Sequence, residues 1–361
     1  MNTFGKIFRL TTAGESHGTA IVAIIDGMPS GIKIKTNDIN EALALRRPGS
    51  TPLGTARRED DRIEILSGML NGVTTGAPIA FSIANNDARS NDYEHLRHVF
   101  RPSHADFTYQ QKYGIRDWRG GGRSSARETA LRVAAGAFAN AVLEQHGIKI
   151  YAYASQIGKA KLQIPAEQLP LDNIYDYPTR CPDEQTSEQM ETIILRAGEA
   201  GDTVGGIISG TIIGLPIGLG EPVYEKFQAR LASAMLSINA AKGFDYGMGF
   251  DGVERFGSEM NDVFCVDPEG NISTLTNHSG GIQGGITNGN AVNFRVAFKP
   301  IATLMREYPA ITDSGEPTTI SPQGRHDSCV IPRAVPVVRA MAQITTLDML
   351  LQHNCNNSRL L

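Results

Sequence analysis

Long hydrophobic runs, paired cysteines and a surplus of either charge are what this chain of 361 residues lacks. No apolar stretch approaches the roughly 18 residues of a membrane span, and Met1 to Leu10 carries no signal-peptide core, so the expectation is a cytoplasmic protein with no membrane partner. Cys181, Cys265, Cys329 and Cys355 stand far apart without a C-x-x-C pair, which argues against a zinc motif or a disulfide framework and leaves reduced thiols. With 34 basic against 38 acidic side chains the net charge is −4, so no overall field recruits nucleic acid, and any anion must be bound by local arginine clusters. Aromatic residues are only 7%, too few for a base-stacking platform, although Arg119-Gly120-Gly121-Gly122-Arg123 looks superficially like an RNA-binding run. A Walker-type Gly-Lys-Ser/Thr and a carboxylate cluster suited to magnesium are also missing, which disfavours a phosphotransferase.

What is abundant is glycine, 38 residues in clusters. The central cluster is Arg119 to Thr129, where three glycines allow tight turning and close backbone approach to a ligand, and Ser125 with Glu128 has the spacing of a capping box. This spacing predicts a helix through Leu131, Ala134, Phe138 and Val142 that stops at His146-Gly147, roughly 30 Å long and alanine-rich enough for close packing. Its start, with Arg123, Arg127 and two seryl hydroxyls, suits an anion; a glycine turn before a capped helix is the plainer alternative.

Elsewhere, Gly14-Glu15-Ser16-His17-Gly18 precedes the apolar run Ala20 to Ile25, which reads as a buried strand with His17 beside its start. A helix over Thr36 to Leu45 ends in Arg46-Arg47-Pro48-Gly49, and Arg57-Arg58 follow across a loop able to close on oxyanions, or simply solvated. Asn71-Gly72 between two strand-like runs predicts a β-hairpin region. His104 has Asp106 two positions on and is a second candidate for proton transfer. Residues 161 to 200, with no strong period until about Met190, read as a peripheral excursion. Val204 to Ile213 and Gly214-Leu215-Pro216-Ile217-Gly218 echo the strand and Gly-x-Pro-x-Gly that end at Gly31, a weak internal repeat. Gly280 to Gly289 suits a loop against a planar ligand, Val292 to Phe298 alternates like a half-buried strand, and a terminal helix is expected from about Ala334 to Leu351.

Taken together, Gly14 to Gly18, Arg119 to Thr129 and Gly324-Arg325-His326-Asp327 resemble, in order and spacing, the three signatures of the chorismate synthase family. Arg101 to Asp106, Ser237 to Gly243, Gly280 to Gly289 and Lys299-Pro300 resemble it too, so that the likeness covers essentially the whole chain. The resemblance implies a single α/β (α+β) domain over 1–361, with long core helices sandwiched between antiparallel β-sheets, assembled as a homotetramer. It implies a lyase of the shikimate pathway to aromatic amino acids, which converts 5-enolpyruvylshikimate 3-phosphate into chorismate and phosphate and needs reduced FMN. NADPH would enter only through flavin reduction, by this chain or by a separate flavin reductase.

Residue by residue, the likeness makes His17, His104, Asp327 and Ser16 the catalytic set and Arg46, Arg123, Arg127 and Arg325 the substrate-binding set. Arg123, Ser124, Ser125, Asn239, Ala240, Gly284, Lys299, Pro300, Ile301, Ala302, Thr303 and Arg325 become the flavin-binding set, with no metal. Arg339, Ser328 and Pro52 depart from the usual pattern; the first puts the local pairing of the last helix in question.

Overall fold

The computed structural model describes residues 1–54, 60–86, 90–268, 270–321 and 327–356. Its frame is one β-β-α-β-β-α unit used twice. The first copy comprises β1 (Arg9–Ala13), β2 (Ala20–Asp26), α1 (Thr36–Arg46), β3 (Ile63–Ile65) and β4 (Ile79–Ala84). After a short helix, α2 (Asp106–Tyr113), it is completed by α3 (Thr129–Leu143). The second copy comprises β5 (Lys149–Ile157), an inserted α4 (Glu184–Glu199), β6 (Gly206–Ile213), α5 (Phe227–Leu236), β7 (Ala241–Tyr246), β8 (Val292–Phe298) and α6 (Ile331–Asn356). Both sheets are antiparallel and share one order, β1-β2-β4-β3 and β5-β6-β8-β7, each with a two-residue strand added outside its first member. The echo between the two Gly-x-Pro-x-Gly turns thus marks a structural repeat: Gly27, Gly31, Gly214 and Gly218 all have positive φ, which glycine adopts at no steric cost.

Except for α2, whose Phe107 and Tyr113 are exposed, the helices bury their apolar sides against a sheet or another helix. The central pair is α3 on α6, with α1 beside α3 and α5 beside α6; α3 faces the first sheet and α6 the second. The sandwich of helices between antiparallel sheets is therefore as expected. At the crossing, Gly136 of α3 lies so close to Ala340 of α6 that a Cβ on it would stand 2.6 Å from the Ala340 Cα. Nearby, Gln343 Nε2 donates to Asn140 Oδ1 at 2.8 Å.

Several expectations are revised. Strand β2 is half-buried: Ile21, Ala23 and Ile25 point inward, whereas Val22 and Ile24 are exposed, so the apolar run hid a period of two. The capping box is half made, since Ser125 Oγ accepts from Arg127 N while Glu128 pairs with Arg132 at 2.7 Å; α3 proper has 15 residues, about 22 Å, extended by 3-10 turns to Gly147 at φ 71°. Helix α4 starts at Glu184, earlier than its weak period suggests, because Asp183 caps it by accepting from Thr186 N at 2.9 Å. The excursion is not wholly peripheral: Thr179, Arg180 and Cys181 are buried, and Arg180 Nη2 donates to Ser50 O at 3.2 Å. Helix α6 begins ahead of Pro336 and is long and apolar enough to cross a membrane, but nearly all of it is buried in the sandwich. Its unusual Arg339 donates to Ile150 O on β5 at 3.1 Å, which answers the question raised by its charge.

The Gly136 contact yields a stability prediction. Gly136→Leu should lower the unfolding free energy by about 1–3 kcal/mol through overpacking, read from urea denaturation midpoints; an unchanged midpoint would mean the helices are not held this close.

Candidate active site

The two histidines come from different loops, and the glycine cluster brings them together. His17 lies between β1 and β2, and His104 just before α2. Gly120, at φ 67°, takes the His17 ring: a Cβ there would stand 2.6 Å from Nδ1. Gly121, at φ 99°, takes the other ring, with His104 Cε1 at 3.1 Å from the position of a Cβ. A side chain at either position would push a ring aside and would also strain the backbone. The glycines predicted to bring bare N–H groups to an anion therefore serve first as seats for histidines.

Each ring is then oriented. Ser16 Oγ and His17 Nδ1 share a hydrogen bond of 3.1 Å, and the Tyr93 ring packs edge-on at a centroid distance of 5.0 Å. Ser103, immediately before His104, takes the left-handed conformation at φ 58°, uncommon for a non-glycine residue and frequent where a site constrains the chain. His104 Nδ1 lies 3.0 Å from Asp106 Oδ1, at the start of α2. Asp106 is 3% exposed, accepts from Arg101 Nε at 2.7 Å and Arg101 Nη2 at 2.9 Å, and forms an ion pair with Arg116 Nη1 at 3.1 Å. Burial alone would raise its pKa, but the hydrogen bonds from Arg101 and His104, and their charges, hold the carboxyl well below the usual range.

Both histidines face a cavity of about 480 Å³, within the range of small-molecule sites. Arg46, Arg101, Arg127, Lys299 and Arg333 line it with Asp327. Behind the wall, Asp61 receives Arg46 Nη1 at 2.8 Å and also Arg127 Nη1. Burial would raise the Asp61 pKa, but the two guanidinium charges and their hydrogen bonds lower it. Arg333, on the first turn of α6, pairs with Asp327 and donates to Arg46 O at 3.3 Å, so the last helix also fixes the end of α1. Among the described residues, five cationic side chains thus stand against the carboxylates of Asp61, Asp106 and Asp327, which leaves the cavity attractive to a polyanion.

The expected flavin set divides. Ser124, Ser125, Asn239, Ala240, Lys299, Ile301, Ala302 and Thr303 line the cavity. Ala240 has φ 66° and accepts from Lys299 N at 3.0 Å; Asn239 Nδ2 donates to Ser124 O at 2.9 Å, while its buried Oδ1 has no partner among the described residues. The Lys299 ammonium donates to Ser103 O at 2.8 Å, and burial, then Lys242, lowers its pKa. Pro300 is not part of the lining. Arg123 faces a neighbouring cavity of about 580 Å³ behind the Gly121–Ser124 wall, and its guanidinium donates to Thr12 Oγ1 at 2.7 Å, Thr12 O and Gly14 O. Gly284 is not part of the lining either; it stands at the tip of the hairpin Ile282–Gln283/Ile286–Thr287, where the next residue, Gly285, packs against the turn before α5 and accepts from Phe227 N at 2.8 Å. Arg325, with Gly324 and His326, lies outside the described residues, as do Arg57 and Arg58.

Four contributors escaped the sequence reading: Asp61, Arg333, Tyr93 and Asn85. Asn85 accepts from Arg127 Nε at 2.8 Å and donates to Gly18 O at 2.9 Å, tying the His17 loop to the arginine pair. The one available signal was Asp61 within the charge run 57–62, which composition alone reads as solvated.

The seat and the buried carboxylate can each be tested. Gly120→Ala should reduce turnover by about 10²-fold or more by displacing His17, and full activity in a folded variant would contradict the seat. Because the folded pKa of Asp106 is depressed, its stabilisation is present above the ordinary value of 3.8 and is lost as pH falls below it. Asp106→Asn should accordingly flatten the acid limb of the stability curve below about pH 4; an unaltered acid limb in urea titrations would reject the assignment.

The chorismate synthase family model matches residues 8–351. A chorismate synthase of Cytophaga hutchinsonii is 54% identical over 352 residues, 98% of each chain. That of Phocaeicola vulgatus is 53% identical over 347 residues, 96% of this chain and 97% of its own. A crystal structure of chorismate synthase superimposes with a TM-score of 0.78 at 31% identity, over 96% of this chain and 93% of that one. With the family matched along nearly its whole length in sequence and in fold, this chain belongs to the chorismate synthases.

Proposed function

We propose that the chain catalyses the 1,4-anti elimination of phosphate from 5-enolpyruvylshikimate 3-phosphate to give chorismate, as a carbon–oxygen lyase that requires reduced FMN. The observation that carries this reading is the pair of histidines seated on Gly120 and Gly121 in one cavity with Asp327, Arg46 and Arg127, the two arginines bridged by Asp61 behind the wall. Two proton-handling rings, a carboxylate and paired guanidiniums suit loss of a phosphate and a proton from one polyanion.

The residues present fit a flavin mononucleotide. The partnerless Asn239 Oδ1, the left-handed Ala240 backbone and the Lys299 ammonium offer an acceptor, a close main-chain approach and a cation. When bound, the reduced flavin supplies an electron-rich ring that lends density to the allylic system as phosphate departs. Ser124, Ser125, Asn239, Ala240 and Lys299 to Thr303 would hold it. Arg46 and Arg127 bind the substrate's phosphate and carboxylates, together with Arg325. His17 gives a proton to the leaving phosphate, and Ser16 keeps its ring turned to the cavity through Nδ1. His104, steadied by Asp106, holds a proton on the flavin side. Asp327, held by Arg333, receives the substrate's proton with help from Ser16. Arg123, expected in both sets, is held by Thr12 and Gly14 and lines the neighbouring cavity.

The same reading makes the chain a cytoplasmic homotetramer supplied with reduced flavin by a separate reductase. Exposed Val22 and Ile24 on the first sheet, and Phe250, Phe256 and Phe264 beyond β7, support burial against other copies.

Under anaerobic conditions with chemically reduced FMN, the substrate should yield chorismate and phosphate. His17→Ala and His104→Ala should each lower kcat by about 10²-fold or more with substrate binding retained, and wild-type turnover in both would refute these roles. Aerobic turnover on NADPH and FMN alone would overturn the dependence on a reductase.

A further inference from the structure

Asp61 is 4% exposed and contributes nothing to the cavity wall, yet its two oxygens reach the two arginines that do. Oδ2 accepts from Arg46 Nη1 at 2.8 Å, and Oδ1 accepts from Arg127 Nη1. The arginines belong to separate elements, Arg46 to the last turn of α1 and Arg127 to the turn before α3. Each arginine also donates to neutral acceptors among the described residues. Arg46 donates to Thr129 Oγ1 at 3.2 Å and Ala126 O at 3.3 Å, and Arg127 to Asn85 Oδ1 at 2.8 Å and Ala84 O at 3.0 Å. The bridge itself is anchored, because two residues on Ile63 N donates to Asn40 Oδ1 of α1 at 3.1 Å. Two guanidiniums brought to one carboxylate would repel each other across a buried wall without it.

From this geometry we infer that Asp61 is the positioning residue of the anion site: by bridging Arg46 and Arg127 it sets the spacing and direction at which two guanidiniums meet a phosphate- and carboxylate-bearing substrate that it never touches. The inference rests on the proposed reading of the cavity as the site of that substrate. Among the described residues Asp61 bonds to the two arginines and to neither histidine, so its loss acts on binding before it acts on proton transfer. The lowered pKa keeps the bridge ionised over the working pH range. The three charges together leave one positive unit among them, enough to attract an anion while the carboxylate limits how tightly phosphate product is retained.

The test compares wild type with Asp61→Asn, Arg127→Gln and the double variant. Titration calorimetry measures two probes, 5-enolpyruvylshikimate 3-phosphate and inorganic phosphate, and anaerobic kinetics supplies KM and kcat. Asp61→Asn should weaken substrate binding and raise KM by about 10-fold or more while kcat changes by less than about 3-fold, a split that mere loosening of the fold would not give. In the Arg127→Gln background the same change should cost much less than in the wild type, because the bridge is already broken. Equal substrate affinity in wild type and Asp61→Asn, or full additivity in the double variant, would overturn the inference. Should Asp61→Asn not fold, the double variant, which loses one charge of each sign, is compared with Arg127→Gln, and a further 10-fold loss there would overturn the bridge. Wild-type protein that binds phosphate but not the enolpyruvyl substrate would reject the functional reading instead; phosphate affinity then decides the bridge, upheld by a loss of about 10-fold in Asp61→Asn and overturned by no change.

Discussion

The close approach of two imidazole rings to two successive glycines is the constraint on which the rest of the site depends. Gly120 and Gly121 are the only kind of residue that leaves room for His17 and His104 and tolerates positive φ at both positions. Because α3 follows this turn and is clamped against α6, the seat is rigid, and the rings inherit that rigidity. Loops far apart in the chain thereby present proton-handling groups to one cavity.

Electrostatics then divides labour along the cavity wall. Among the described residues, every arginine that reaches it is tied to a carboxylate, and the sharing is unequal: Asp106 serves Arg101, Arg116 and His104, Asp61 serves Arg46 and Arg127, and Asp327 serves Arg333. Burying so much charge is tolerable only because each guanidinium meets fixed acceptors. Lys299, bonded to a carbonyl rather than a carboxylate, is the cation suited to a mobile partner such as a cofactor phosphate. The repeat in the fold contributes directly, since α1 and α3 of the first copy and α6 of the second supply Arg46, the turn bearing Arg127, and Arg333.

Much of this was legible in the chain. The Gly-x-Pro-x-Gly echo pointed to the repeat, the glycine cluster from Arg119 to Thr129 to the site, and the alternation of Val292 to Phe298 to β8, because glycine placement and hydrophobic period are local properties. The family likeness carried His17, His104, Asp327, Arg46 and Arg127 into one place, and the fold brings them there. Where the reading fell short, the cause was non-local. Arg123 has the right residue type for a ligand, but Thr12 and Gly14, which hold its guanidinium, are remote in sequence.

By itself the sequence determined which residue types could do chemistry, where helices and strands begin to within a few positions, and to which family the motifs belong. Tertiary structure alone decided that the glycines seat histidines, that Asp61 leaves an apparently solvated charge run to join two arginines, and that Arg333 ties the last helix to the first. The reason is physical: conformational preference is a property of a few adjacent residues, whereas the worth of a buried charge is set by the partners that folding brings within about 3 Å of it.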